Sequence, residues 1–309
     1  TSTQKINTYQ EHILWEQDTV NILNSGKLWL GAPMGVGAGK QASMATTINT
    51  KNLLESSPVL ISTQYVSTNY NQAAQFDLKW ADTKIRSTSV NPVSGLVYDP
   101  TANMVLDSFM YWPSKNNATT NLTLQYNAPT GSTGWLDYVE MHVTKPLGFN
   151  DQNYFSFEGK TDASTYLYQL DNADAASMVW DITNVQQPIL LKTNLDNSSL
   201  SFSANGAIHQ SFFAVKQNAF ENIASIDTLS NQNLLTNISV DYIILAAPSF
   251  QQAASRLKTF HQQKNAFKVE IIDPSKIYNE FSGGLVNPIA IRNYLKYLQN
   301  LAKQNGQSF

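Results

Sequence analysis

From about residue 27 to residue 225 the chain alternates apolar and polar positions over short runs, the period of a half-buried strand. In VLISTQYV the residues Val59, Ile61 and Tyr65 fall on one face, and in NLTLQYN the residues Leu122, Leu124 and Tyr126 do the same. WLDYVEMHV places Val139, Met141 and Val143 together toward a core. Turn signals such as NPVSG, NAPTGSTG and SANGA separate these runs. Such a layout predicts an antiparallel, jelly-roll-like β-sandwich over residues 27–225 rather than a series of βαβ units. Residues 1–26 read as a lead-in or linker.

After Asn233 the pattern changes. DYIILAAP is a continuous apolar run, as expected of a parallel strand covered by helices on both faces. A helix should follow, with Ser249 and Gln252 at the spacing of a capping box and a buried stripe of Ala253, Ala254, Leu257 and Phe260. FKVEIIDP predicts a second strand with Phe267, Val269 and Ile271 in alternation, ended by Asp273 and Pro274. A second helix should start with Asn287 as cap and Pro288 in the first position, where a missing N–H costs nothing. Its stripe is Ile291, Tyr294, Leu295, Leu298, Leu301 and Ala302, with Gly306 placed to end it. Residues 226–309 therefore read as the β-α-β-α opening of an α/β domain. Two parallel strands do not bury such faces alone, so the chain is expected to be a fragment of a longer protein.

Composition narrows the function classes. Of 309 residues 42% are hydrophobic but only 14% charged, against about 25% in typical soluble domains. The polar surface must come from Asn, Gln, Ser and Thr, which suits a secreted or cell-surface protein. A net charge of -3 and the absence of a Lys/Arg cluster leave no phosphate-tracking surface, so no nucleic acid is expected as a partner. No apolar run approaches the ~20 residues of a transmembrane segment. With no cysteine there is no disulfide, no thiolate metal site and no cysteine nucleophile among these residues.

GAPMGVGAGK, residues 31–40, raises the question of a nucleotide. As a P-loop it fails at Met34 and at Gln41. Gly37, Gly39 and Ala42 fit the dinucleotide spacing, with Glu55 beyond, but SMATTINTKN offers no helical stripe to bring a helix N-terminus to a pyrophosphate. A glycine-rich turn between strands is the simpler expectation.

None of His12, His142, His209 and His261 has a second ligand at the spacing of a compact metal motif. His142 and Glu140 share a strand face, as a proton-transfer pair would, although half-exposed strand residues of this kind are common. Asp162, Asp171 and Asp174 could offer oxygens to calcium but lack a regular loop spacing. No cofactor is assigned, and calcium is left open. No G-x-S-x-G elbow is present. Trp15, Trp29, Trp80, Trp112, Trp135 and Trp180 could include a sugar-stacking platform or could fill the β core.

One stretch carries a family signature. The NQNL entry, the DYII strand, the IYNEFSGG turn and the AIRNYLKYL helix resemble the opening of the peptidase domain in gingipain-type cysteine peptidases. They look closest to the PorU-type sortases of the Bacteroidetes type IX secretion system. SGKLWLGAPM, WLDYVEMHVTKPL and VWDITNVQQP are similar to the β-rich region that precedes that domain. The resemblance implies a caspase- or gingipain-like α/β peptidase at the outer face of the outer membrane. It would remove the C-terminal sorting domain of secreted cargo by cysteine-histidine chemistry and pass the cargo to a lipopolysaccharide amine, beside an outer-membrane β-barrel partner.

The family's catalytic histidine precedes a glycine and its cysteine lies farther along. None of the four histidines here precedes a glycine, so no catalytic role is carried onto this chain. Pro248, Ser249 and Asp273 are expected at the carboxyl ends of the two strands, where α/β sheets bind ligands. Tyr278, Glu280, Phe281, Gly283 and Gly284 form a candidate substrate-contacting loop, or else a connection packed on its own aromatics. A different class stays open: a complete, non-enzymatic surface module that binds carbohydrate or protein through its sandwich and completes its α/β sheet with another chain.

Overall fold

A computed structural model describes residues 4–25, 27–114, 118–162, 164–222, 225, 228–236 and 240–306. The chain divides into two compact units, Thr1–Asn222 and Ile223–Phe309.

Among the described residues the first unit encloses two large cores, and a small third one of Leu30, Val66 and Trp135, rather than the single sandwich core expected. Around the first, Thr8–Glu16, Thr133–Pro146, Val59–Thr68 and Asn103–Tyr111 lie side by side and antiparallel, with Met34–Gly35 also paired to Thr133–Pro146. The facing sheet runs Ser43–Asn49, Thr119–Asn127, Ala74–Trp80, Thr83–Val90, again antiparallel. Val59, Ile61, Tyr65, Val139, Met141 and Val143 from one sheet meet Phe76, Leu78, Leu122, Leu124 and Tyr126 from the other, as their alternation predicts. Tyr65 stacks on Phe76 with ring centres 4.6 Å apart.

One edge of this sandwich is closed by polar groups. Nε and Nη2 of Arg86 each donate to Asp107 at 2.7 Å, joining the two sheets, and the Thr88 hydroxyl donates to the same carboxylate. The Arg86 hydrogen bonds hold the Asp107 carboxyl below its usual range, against the opposing effect of burial.

The second core is aromatic. It lies between a sheet ordered Gln4–Ile6, Thr165–Leu170, Ser199–Asn205, Asn194–Asp196 and another ordered Tyr154–Glu158, Ser211–Val215, Met178–Asp181, Ile189–Leu190. Phe155, Phe157, Tyr168, Phe202 and Phe212 fill it, with Tyr168 stacked on Phe202 at 5.1 Å.

Residues 4–16, read from the sequence as lead-in, are strands of both sandwiches. Gln4–Ile6 pairs parallel with Thr165–Leu170, and Thr8–Glu16 pairs along its whole length with Thr133–Pro146. Tyr9 packs in the second core while Ile13 and Trp15 pack against the first. Polar Glu11 on the inward face and apolar Leu14 on the outward face blur the alternation, which hides the strand from a pattern reading.

In the second unit Tyr242–Leu245 and Val269–Ile272 form a parallel pair separated by helix α1, Gln251–Asn265. Helices α2, Pro274–Phe281, and α3, Pro288–Gln304, follow. Ser249 lies in a 3-10 turn, Pro248–Phe250, and α1 has no side-chain cap, so the expected capping box does not form. Of the expected α1 stripe only Ala254 is buried, and Leu257 and Phe260 face solvent. Helix α2 was not expected. The Asp273-Pro274 pair that ends the strand also starts this helix, with Asp273 Oδ1 accepting from Ser275 N at 2.9 Å and proline in the first turn.

Helix α3 begins as expected, Asn287 Oδ1 accepting from Ile289 N at 2.9 Å. It buries Ala290, Tyr294 and Leu298 in a core shared with Leu234, Ile272 and Ile277. Among the described residues no helix is long and apolar enough to cross a membrane.

Candidate functional site

The parallel pair directs two chain crossings to one end of the sheet. Ala246 N donates to Ile272 O at 3.0 Å, which extends the ladder just past the strand ends. Pro248 and Ser249 follow the first strand and Asp273 the second, where they were expected and where ligands of open α/β sheets bind. Asp273 is already occupied as the cap of α2.

The five residues of the candidate loop divide between helix and turn. Tyr278, Glu280 and Phe281 belong to α2, and Gly283 and Gly284 to the turn after it. Phe281 packs against Tyr294 and Tyr297 with ring centres 5.4 and 6.2 Å apart, and Tyr278 is half-buried on the same core. Both oxygens of Glu280 accept from Leu234 N, at 2.9 and 3.0 Å, and Oε1 also accepts from Gln232 Nε2 at 2.9 Å. Glu280 thus ties the 232–234 segment to α2.

The turn itself needs glycine, because Gly283 and Gly284 have φ of 62° and 89°. Gly284 N donates to Tyr278 O at 2.9 Å, and the Ser282 hydroxyl to Leu285 O at 2.6 Å. The turn leaves Leu285 and Val286 exposed at 74% and 82%. Sequence reasoning did not single out these two. Their signal is an apolar pair between a Gly-Gly turn and a helix cap.

Beneath the turn Tyr294 is fully buried and its hydroxyl has no hydrogen-bond partner. Burial pushes its phenol up to about 12.

In the first unit Gly37 and Gly39 lie between the strands Met34–Gly35 and Ser43–Asn49. A strand rather than a helix follows them, so no helix N-terminus is available for a pyrophosphate. The three aspartates considered for calcium are each engaged locally. Asp162 accepts from Ser164 N and the Tyr166 hydroxyl, Asp171 from Ser199 Oγ, and Asp174 from Ala176 N and Ser177 Oγ. Trp80 and Trp135 are buried, whereas Trp29 and Trp112 are exposed.

The pairing of Glu140 with His142 gains a third member. His12 lies directly opposite His142 across the strand pair, and its Nε2 is 2.8 Å from Glu140 Oε1. No local spacing announces His12, since only the pairing of distant strands brings it there.

Two comparisons relate this chain to known proteins. Residues 235–308 match the sequence profile of peptidase family C25, the gingipain family. In fold the chain is similar to the crystal structure of dimeric latent PorU from Porphyromonas gingivalis, with a TM-score of 0.79 and 19% sequence identity. The likeness covers 99% of this chain and 29% of that one, so the chain spans under a third of the length of the solved protein. No curated protein matches.

Proposed function

We propose that a PorU-related fold joined to the opening of a C25 peptidase domain makes this chain the N-terminal part of a type IX secretion sortase. The observation that carries this reading is the C25 match at residues 235–308 within a chain that has the fold of PorU over nearly all its length. The activity is cleavage of the C-terminal sorting domain from secreted cargo, followed by transfer of the cargo to a lipopolysaccharide amine at the cell surface. An outer-membrane β-barrel is the docking partner.

Such chemistry needs a thiolate made reactive by an imidazole, and donors aimed at the oxyanion that forms on the scissile carbonyl. This chain has no cysteine, so the nucleophile would come from residues outside these 309. The second unit supplies the first strands and helices of a gingipain-like α/β sheet. Pro248 and Ser249 border its ligand-binding end, and the segment from Tyr278 to Gly284 frames a substrate-contacting edge. Leu285 and Val286 lie exposed beside that segment, where a bound peptide would meet apolar contacts. The jelly-roll-like β units receive the sorting domain or dock the barrel.

Deleting the coding region in the native host and sequencing cargo C-termini by mass spectrometry tests the reading. Cargo that keeps its sorting domain is the expected result. Cargo trimmed as in the parent strain would overturn it and leave a surface-binding module.

A further inference from the structure

The sheet that contains Thr8–Glu16 and Thr133–Pro146 turns one face to the core and the other to solvent, and three metal-ligating side chains meet on the solvent face. His12 and His142 are register partners, and Glu140 stands two residues from His142 on the same face. Cross-strand partners hold their Cβ atoms about 5 Å apart, close enough for two imidazoles to share one ion. Here both Nε2 atoms turn toward the same carboxylate oxygen, Glu140 Oε1, at 2.8 Å from His12 and 3.6 Å from His142. The rings are stacked, with centroids 5.1 Å apart and planes 25° from parallel. Ligand atoms of all three residues lie within 4.8 Å of one another.

From this convergence we propose that His12, Glu140 and His142 form a binding site for a divalent transition-metal ion of the zinc class. Two imidazoles and one carboxylate suit zinc, copper or nickel, whereas calcium demands about six to eight oxygen ligands. Three protein ligands leave a fourth tetrahedral position, and the exposure of the side chains (51% for His12, 32% for Glu140, 43% for His142) turns it to solvent. An entering ion would take the place of the direct contact between His12 Nε2 and Glu140 Oε1. Because His12 comes from an edge strand and the other two ligands from its neighbour, the ion pins Thr8–Glu16 to the sheet. The site is independent of the peptidase reading.

The other histidines provide controls. His209 pairs with Glu158 at 3.1 Å, and His261 Nδ1 lies 3.1 Å from Asn265 Oδ1, neither within the cluster. With no cysteine in the chain, thiolate binding does not interfere.

The test is a titration of the 309-residue protein with Co2+, read by visible absorption, then with Zn2+ in competition, and thermal unfolding with and without Zn2+. One equivalent should bind and Zn2+ should raise the Tm. His12→Gln and His142→Gln should each weaken binding by more than about tenfold and remove the Zn2+-dependent rise, while His209→Gln changes neither. Because the three side chains face solvent, the variants should keep the parental Tm in chelator, which verifies their folding. Absence of saturable binding, or equal loss in His209→Gln, would overturn the site.

Discussion

Single side chains in the first sandwich set measurable balances. A Cβ added at Gly134 would lie 2.5 Å from the Tyr126 ring and 2.7 Å from that of Phe76, both fully packed. Gly134→Ala should therefore cost roughly 1–3 kcal/mol, read as a lower denaturation midpoint with unchanged slope. Two aspartates nearby act with opposite sign. Asp137, at a register shift of its strand, is buried and accepts from Gln64 at 2.5 Å, yet burial raises its carboxyl pKa, with Glu16 adding to the shift. A folded pKa above the unfolded one means that ionisation costs stability as pH rises toward neutrality. Asp137→Asn should raise the Tm at pH 7, and the gain should fade below about pH 4, where the unfolded carboxyl is also protonated. Asp107 is the reverse case. Arg86 lowers its pKa, so its contribution is complete above the usual carboxylate range and is lost as pH falls through the lowered folded value. Arg86→Ala should cost about 1 kcal/mol at neutral pH and nothing in strong acid, as urea titrations at the two pH values would report.

At the scale of elements, α2 and α3 hold the second unit together. Tyr294→Phe removes a buried hydroxyl that has no partner and should leave the midpoint unchanged or raised, whereas Tyr294→Ala should cost about 3–5 kcal/mol. Glu280→Ala should release the 232–234 segment, seen as faster protease cleavage there with the helical signal kept. Unchanged cleavage would remove the stapling role. Helix α3 was legible because its cap and its proline agree, although of its expected stripe only Tyr294 and Leu298 are buried and Leu295 is exposed. Helix α2 was not, because an Asp-Pro pair ends a strand and starts a helix with the same two residues. The stripe of α1 was legible as a pattern but not as burial, since Leu257 and Phe260 lie outside the core of this unit and stay exposed. Of the candidate loop the glycines were read correctly as a turn, while Glu280 looked free for a ligand because its bond to Leu234 joins positions 46 residues apart.

For the molecule as a whole, the two compact units should behave differently when separated. Residues 1–222, with two sandwiches and their own cores, should unfold cooperatively with a β-sheet circular dichroism spectrum. Residues 223–309 bury only a small core beneath one parallel pair, and should melt gradually and bind a hydrophobic dye. A sharp, dye-silent transition in the smaller piece would contradict this. The sequence by itself determined which face is buried in Val59–Thr68, Thr119–Asn127 and Thr133–Pro146, and where the chain turns from antiparallel β to parallel α/β. These follow from residue spacing along a few consecutive positions, which is a local property. Only the tertiary structure decided that the β region holds two large cores, that residues 4–16 join both, and that His12 meets Glu140 and His142. Strand partnership is settled by contacts between segments far apart in the chain, competing over burial and register, and no local pattern records which partner wins.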